Sequence, residues 1–180
     1  MRAFLAIPIP DDVAGRLEDI QSDLPFGRLV PAENLHLTVA FLGEQPWEAL
    51  RDLHDALEAF SSPRFTVSFG PLGTFGGSAP SSLHAEVDPA AALRALHAKL
   101  RGVLHATGIA TERRRFRPHV TLARFRPRME PTDQARLARF LTAHAAAPIP
   151  SFEACALTLF RSTLRPDGAV HDALAEYPLV

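Results

Sequence analysis

Apolar positions recur along the chain with two different periods, and the switches between them divide it into elements. Residues 2–9 form an apolar run broken by Pro8 and Pro10, which predicts an opening strand. Asp11 and Asp12 start a helix reaching about residue 21, with Val13, Leu17 and Ile20 on one face. A connector follows, with a short extended piece at 28–30, and residues 35–42 then read as a mostly buried strand stopped by Gly43. Apolar residues at 47, 50, 53, 57 and 60 predict an amphipathic helix over 47–61. Residues 65–69 alternate as a strand, and its predicted partner is 83–87, across a Gly/Pro/Ser-rich loop at 70–82. Asp88-Pro89 opens the longest predicted helix, 90–107, with proline in its first turn and Gly108 at its end. A strand at 116–125, a helix at 131–144 and a strand at 152–161 come next. The turn Arg165-Pro166-Asp167-Gly168 then joins the last of these to a closing strand at 169–177. Helices and strands are mixed with few clean βαβ alternations, so the expected class is α+β with largely antiparallel sheet.

Two of the predicted strands share a feature that apolar periodicity does not explain. Asn34-Leu35-His36-Leu37-Thr38-Val39-Ala40-Phe41-Leu42 and Phe116-Arg117-Pro118-His119-Val120-Thr121-Leu122-Ala123-Arg124 each place a histidine and a threonine two residues apart in an otherwise aliphatic run. Alternation sends His and Thr to the same face, roughly 7 Å apart along the strand. Two polar groups on one face of a buried strand call for partners. A third match, His105-Ala106-Thr107, falls in a predicted helix, where residues two apart diverge around the axis and cannot act together. Each half of the chain runs helix, H-x-T strand, helix. This predicts a single domain over residues 1–180, built of two similar lobes around a shared groove.

Composition narrows the function. A formal net charge of −1 excludes a global pull toward nucleic acid or membrane, so an anionic ligand must be held locally. Arg113, Arg114, Arg115, Arg117, Arg124, Arg126 and Arg128 form such a local cluster. The lone Cys155 excludes an internal disulfide and a cysteine metal cage, and no apolar run reaches the roughly 18 residues of a membrane span. A cytoplasmic protein is expected.

Two His and two Thr facing a groove could bind a metal, but no carboxylate or third His sits at ligand spacing near either motif. A Ser-His-Asp triad lacks its nucleophile turn. Acid–base work remains, with one imidazole taking a proton from water and the other giving one to a leaving oxygen. Threonine hydroxyls and an arginine suit an anion such as phosphate. The constellation therefore fits metal-free displacement at a phosphodiester. Phe41 and Arg124 each lie five positions after their histidine, an odd offset that strict alternation sends to the opposite face unless the strand ends or bulges. The other histidines, His84 and His171 among them, share no pattern and are expected to be surface or structural.

The paired His36-Leu37-Thr38-Val39 and His119-Val120-Thr121-Leu122 resemble the two signatures of the 2H phosphoesterase superfamily. With the flanks at residues 2–7, 34–43, 116–124 and 160–168, the chain is similar nearly end to end to the RNA 2′,3′-cyclic phosphodiesterases, also called 2′-5′ RNA ligases. The resemblance implies a bilobal, pseudo-symmetric α+β fold, with two mainly antiparallel sheets flanked by helices around a central groove. It implies hydrolysis of RNA 2′,3′-cyclic phosphate ends to 2′-phosphomonoesters without metal or cofactor. His119 would be the general base and His36 the general acid; Thr38 and Thr121 would grip phosphate oxygens, Arg124 would contact phosphate and Phe41 would stack on a base. The implied partner is an RNA with a cyclic phosphate end or a cyclic nucleotide, met by a monomer. Rival readings are 2′-5′ ligation by the reverse reaction, hydrolysis of a small cyclic nucleotide or an ADP-ribose cyclic phosphate, and a non-catalytic RNA-binding module.

Overall fold

A computed structural model describes residues 1–110, 115–166 and 168–180. Arg113, Arg114 and the turn residue Asp167 lie outside them. The elements in order are β1 (Arg2–Pro8), α1 (Asp11–Ser22), β2 (Arg28–Leu29), a 3-10 turn (Ala32–Asn34), β3 (His36–Glu44), α2 (Trp47–Glu58), β4 (Phe65–Val67), β5 (Phe69–Phe75), β6 (Ser82–Val87), α3 (Ala91–Ala106), β7 (His119–Arg124), α4 (Pro131–Ala143), β8 (Phe152–Ala154), β9 (Ala156–Arg165) and β10 (Gly168–Pro178).

The described strands form two antiparallel sheets, one large and one of two strands. The large sheet runs β10-β9-β1-β3-β7-β6-β5, with β2 also paired to β7, and the small sheet pairs β4 with β8. One face of the large sheet buries aliphatic side chains such as Leu5, Ile7, Leu37 and Val120 in a core shared with Leu17 and Ile20 of α1, Leu53 and Leu57 of α2 and Leu96 and Leu100 of α3. These helices carry apolar residues at three- and four-residue spacing, so each has one stripe to bury and one face for solvent. The expected α+β fold is present.

Strands β3 and β7 meet at the centre of the sheet through one residue couple, Leu37 opposite Val120. Beyond it β2 takes over that edge of β7, pairing Arg28 with Arg124 and Leu29 with Ala123. The seam is stitched by Gln21 of α1, which is buried and donates from Nε2 to the carbonyls of Val30 (2.8 Å) and Leu122 (2.7 Å).

Several local expectations give way to tertiary structure. Residues 70–75, read as loop, belong to β5, whose place at the end of the sheet leaves an edge on which Pro71 costs no ladder bond. Residues 65–67 pair with β8 and not with β6; Phe69 alone of the predicted 65–69 strand faces β6, at Val87. The predicted 152–161 strand divides at Cys155, because its two parts serve different sheets. Pro89 precedes α3, with Ala90 as the N-cap, and α2 ends at Glu58. The Asp11 and Asp12 side chains make no capping bond; they stand in the first turn of α1, where their charge complements the helix dipole. The His105-Ala106-Thr107 decoy lies at the end of helix α3, as its composition predicts.

Candidate active site

The antiparallel seam fixes the geometry of the two motifs. With Leu37 opposite Val120, His36 neighbours Thr121 and Thr38 neighbours His119, so the four polar side chains form a square on the face opposite the core. The two histidines stand on its diagonal, which in sheet geometry separates them by roughly 7–8 Å. All four are half-buried, whereas Leu37 and Val120 between them are fully buried.

Each motif then bulges at the residue after its threonine. In β3 the pairing steps from Thr38–Ala6 to Ala40–Leu5, leaving Val39 extra; in β7 it steps from Thr121–His84 to Ala123–Leu83, leaving Leu122 extra. The burial sequences of the two strands match from histidine to the fifth position after it: half-buried, buried, half-buried, buried, buried, exposed. The bulge inverts the alternation, so Phe41 and Arg124 leave the core face. Phe41 comes out beside Phe4, whose ring lies 4.7 Å from His36. Arg124 sits close enough for its charge to act on His36, His119 and His171.

Both imidazoles are held alike. His36 Nδ1 is 2.7 Å from the Asn34 carbonyl, and His119 Nδ1 is 2.7 Å from the Arg117 carbonyl. A carbonyl only accepts, so each Nδ1 carries hydrogen and donates it, which leaves Nε2 as the unprotonated nitrogen of the neutral ring. Burial pushes the His36 pKa down to about 4. The Asn34 bond opposes this, and His171, His119 and Arg124 add positive charge that lowers it further. His119 is lowered too, chiefly by burial and also by Arg117 and Arg124, against the Arg117 backbone bond.

Two further histidines flank the pair, and neither was expected there. His171 of β10 meets His36 edge-on at 5.2 Å, and His84 of β6 meets His119 edge-on at 5.3 Å. Burial lowers both pKa values, that of His84 to about 4. The Nδ1 atoms of both are buried without a hydrogen-bond partner among the described residues. His84 also stacks on Phe75 at 4.1 Å, and the Arg117 guanidinium lies over the Phe75 ring at 5.0 Å. The space for His84 comes from Gly73 on β5: a Cβ there would stand 3.0 Å from His84 Nε2 and 3.3 Å from Glu86 Oε1. Sequence spacing could not reveal these two rings, because β6 and β10 come from unrelated stretches and become equivalent only across the folded sheet. Locally, His84 alternates with Glu86 among the apolar Leu83, Ala85 and Val87, which reads as an ordinary half-polar strand. Arg161 is a fold residue, donating from Nε and Nη2 to Asp172 Oδ2 at 3.0 and 2.8 Å across the β9–β10 hairpin. Among the described residues no three His, Cys, Asp or Glu side chains gather as a metal site would require.

Two bulged H-x-T strands meeting at one couple thus set two imidazoles, each held at Nδ1 by a backbone carbonyl, and two threonines on one face of an α+β sheet. Residues 9–165 match the model of the 2′-5′ RNA ligase superfamily, and the chain belongs to that family. Among solved structures, TT0787 of Thermus thermophilus superposes with a TM-score of 0.80 at 28% identity, over 99% of this chain and 98% of that one. LigT of Escherichia coli complexed with 3′-AMP gives 0.78 at 26%, over 99% and 97%. Among curated relatives, the RNA 2′,3′-cyclic phosphodiesterase of Thermus thermophilus is 31% identical over 99% of this chain and 90% of its own length. The protein of the same name from Geobacillus stearothermophilus is 28% identical over 98% of this chain, which spans 57% of that relative's length.

Proposed function

We propose that the protein hydrolyses RNA 2′,3′-cyclic phosphate ends to 2′-phosphomonoesters by metal-independent acid–base catalysis between His36 and His119. The observation that carries the reading is the pair of imidazoles set diagonally across the β3–β7 seam, each held at Nδ1 by its own backbone carbonyl. Relatives bearing the name RNA 2′,3′-cyclic phosphodiesterase support the substrate class. His119 takes the proton of the attacking water, and His36 returns one to the departing 3′-oxygen, so the P–O3′ bond breaks as the new P–O bond forms. Thr38 and Thr121 donate hydroxyl hydrogens to the non-bridging oxygens, and Arg124 supplies the countercharge. Phe41, half-exposed beside Phe4, offers a face to a base.

In the free protein burial holds the His36 pKa down at about 4. The service of His36 as the acid therefore depends on the bound phosphate, whose negative charge favours imidazolium. The matching burial patterns of β3 and β7 support one domain of two similar lobes, and no described helix is long and apolar enough to cross a membrane. Product analysis of RNA ending in adenosine 2′,3′-cyclic phosphate, in EDTA, tests the reading. A 2′-phosphate product is expected; a strict divalent-metal requirement or an inert cyclic phosphate would overturn it. Ligation uses the same groups in reverse, and adding a 5′-hydroxyl RNA to the same assay reads it directly.

A further inference from the structure

A cavity of about 320 Å³ adjoins the His36 end of the site. His36, Phe160 and His171 supply aromatic wall, Leu35 apolar wall, and Asp11 and Glu33 exposed carboxylates. Between the lining residues Glu33 and Leu35, Asn34 donates from Nδ2 to the Ala169 carbonyl at 3.0 Å and ties the 3-10 turn to β10. Among the described residues no arginine or lysine lines it, so its chemistry does not suit a second phosphate.

The position matters if His36 protonates the departing 3′-oxygen, and the inference rests on that reading. The departing oxygen and the terminal base belong to the same nucleoside. A cavity that shares His36 as a wall is therefore within that nucleoside's reach. Aromatic walls suit a flat base. Carboxylates accept hydrogen bonds and donate none when ionised, so they favour a base edge carrying N–H groups. Guanine presents adjacent ring and amino donors; uracil presents a single ring donor. We propose that this cavity seats the terminal base and that Glu33 makes guanine preferred over uracil. Phe41 does not line the cavity, so stacking on Phe41 and seating against Phe160 are distinct placements.

The test compares kcat/KM for guanosine and uridine 2′,3′-cyclic phosphates in the wild type, Glu33→Gln, Phe160→Ala and Phe41→Ala. Glu33 is exposed, so its variant carries little folding risk. A wild-type preference for guanosine of about tenfold is expected from one charge-assisted bond. It should shrink in Glu33→Gln, with KM rising more for the guanosine substrate than for the uridine one. Equal use of the two substrates by the wild type, a preference untouched by Glu33→Gln, or one lost in Phe41→Ala but kept in Phe160→Ala would overturn the assignment while leaving the hydrolytic reading intact. Inertness toward both mononucleotides and toward cyclic-ended RNA would overturn that reading, and this one with it.

Discussion

Gln21→Leu should cost both stability and substrate affinity, though the residue touches neither histidine. Its amide bonds the Val30 and Leu122 carbonyls at 2.8 and 2.7 Å from a buried position, and Leu122 is the bulge that turns Arg124 off the core face. Leucine keeps most of the volume and removes both donors. Leu122 retains the bond from the Val30 amide at 2.8 Å, so the loss amounts to about one unpartnered, part-buried carbonyl, that of Val30. Such a group costs ~1–3 kcal/mol. For a domain of this size, 1 kcal/mol moves Tm by about 2–4 °C, which places the expected drop near ~4–8 °C for a mid-range loss. Because β2 and the bulge hold Arg124 in place, KM for a cyclic phosphate should rise more than kcat falls. Urea unfolding with steady-state kinetics reads both quantities. A midpoint and slope equal to the wild type, or normal KM alongside lowered stability, would refute the stitch as the device that aims Arg124.

Other expectations follow from the same geometry. His36→Ala and His119→Ala should each lower kcat/KM roughly 100-fold or more while the far-UV spectrum is kept, as measured on a cyclic-phosphate dinucleotide. Gly73→Ala brings a methyl within 3.0 Å of His84 Nε2, so it should destabilise by ~1–3 kcal/mol and slow turnover as His84 presses on His119; unchanged unfolding would show that β5 yields freely. The lowered histidine pKa values give acid sensitivity. The unfolded chain binds protons near pH 6.5 that folded His36 and His84 refuse until about pH 4, so their stability contribution is present above pH 6.5 and lost as pH falls toward 4. Urea titrations across that window should show it, and replacing His84 with Phe should flatten the slope.

The catalytic candidates were legible because H-x-T is a local pattern: a two-residue offset in a strand guarantees a shared face whatever the rest of the chain does. Phe41 and Arg124 were ambiguous for the complementary reason. Their direction depends on bulges at Val39 and Leu122, which are set by pairing with β1 and β6 and by Gln21, none of them adjacent in sequence. His84 and His171 were hidden more completely, since each becomes a neighbour of a motif histidine only through strand order. The Gly70-Pro71 and Gly73 positions read as loop because propensity carries no knowledge of an edge, where a missing donor goes unused, or of a neighbouring imidazole that needs the room. Helices α1 to α4 were the easiest, each announced by apolar spacing and by aspartates or prolines near its start.

If His36 and His119 trade protons across one groove, the pH dependence of kcat/KM in EDTA reads that exchange most directly. The free-enzyme profile should be bell-shaped, with limbs near pH 4 and below 6.5, and the profile of kcat should move upward in pH as the bound anion restores the His36 proton. A rate that is flat across that range, or a bell that survives unchanged in His36→Ala or His119→Ala, would contradict it.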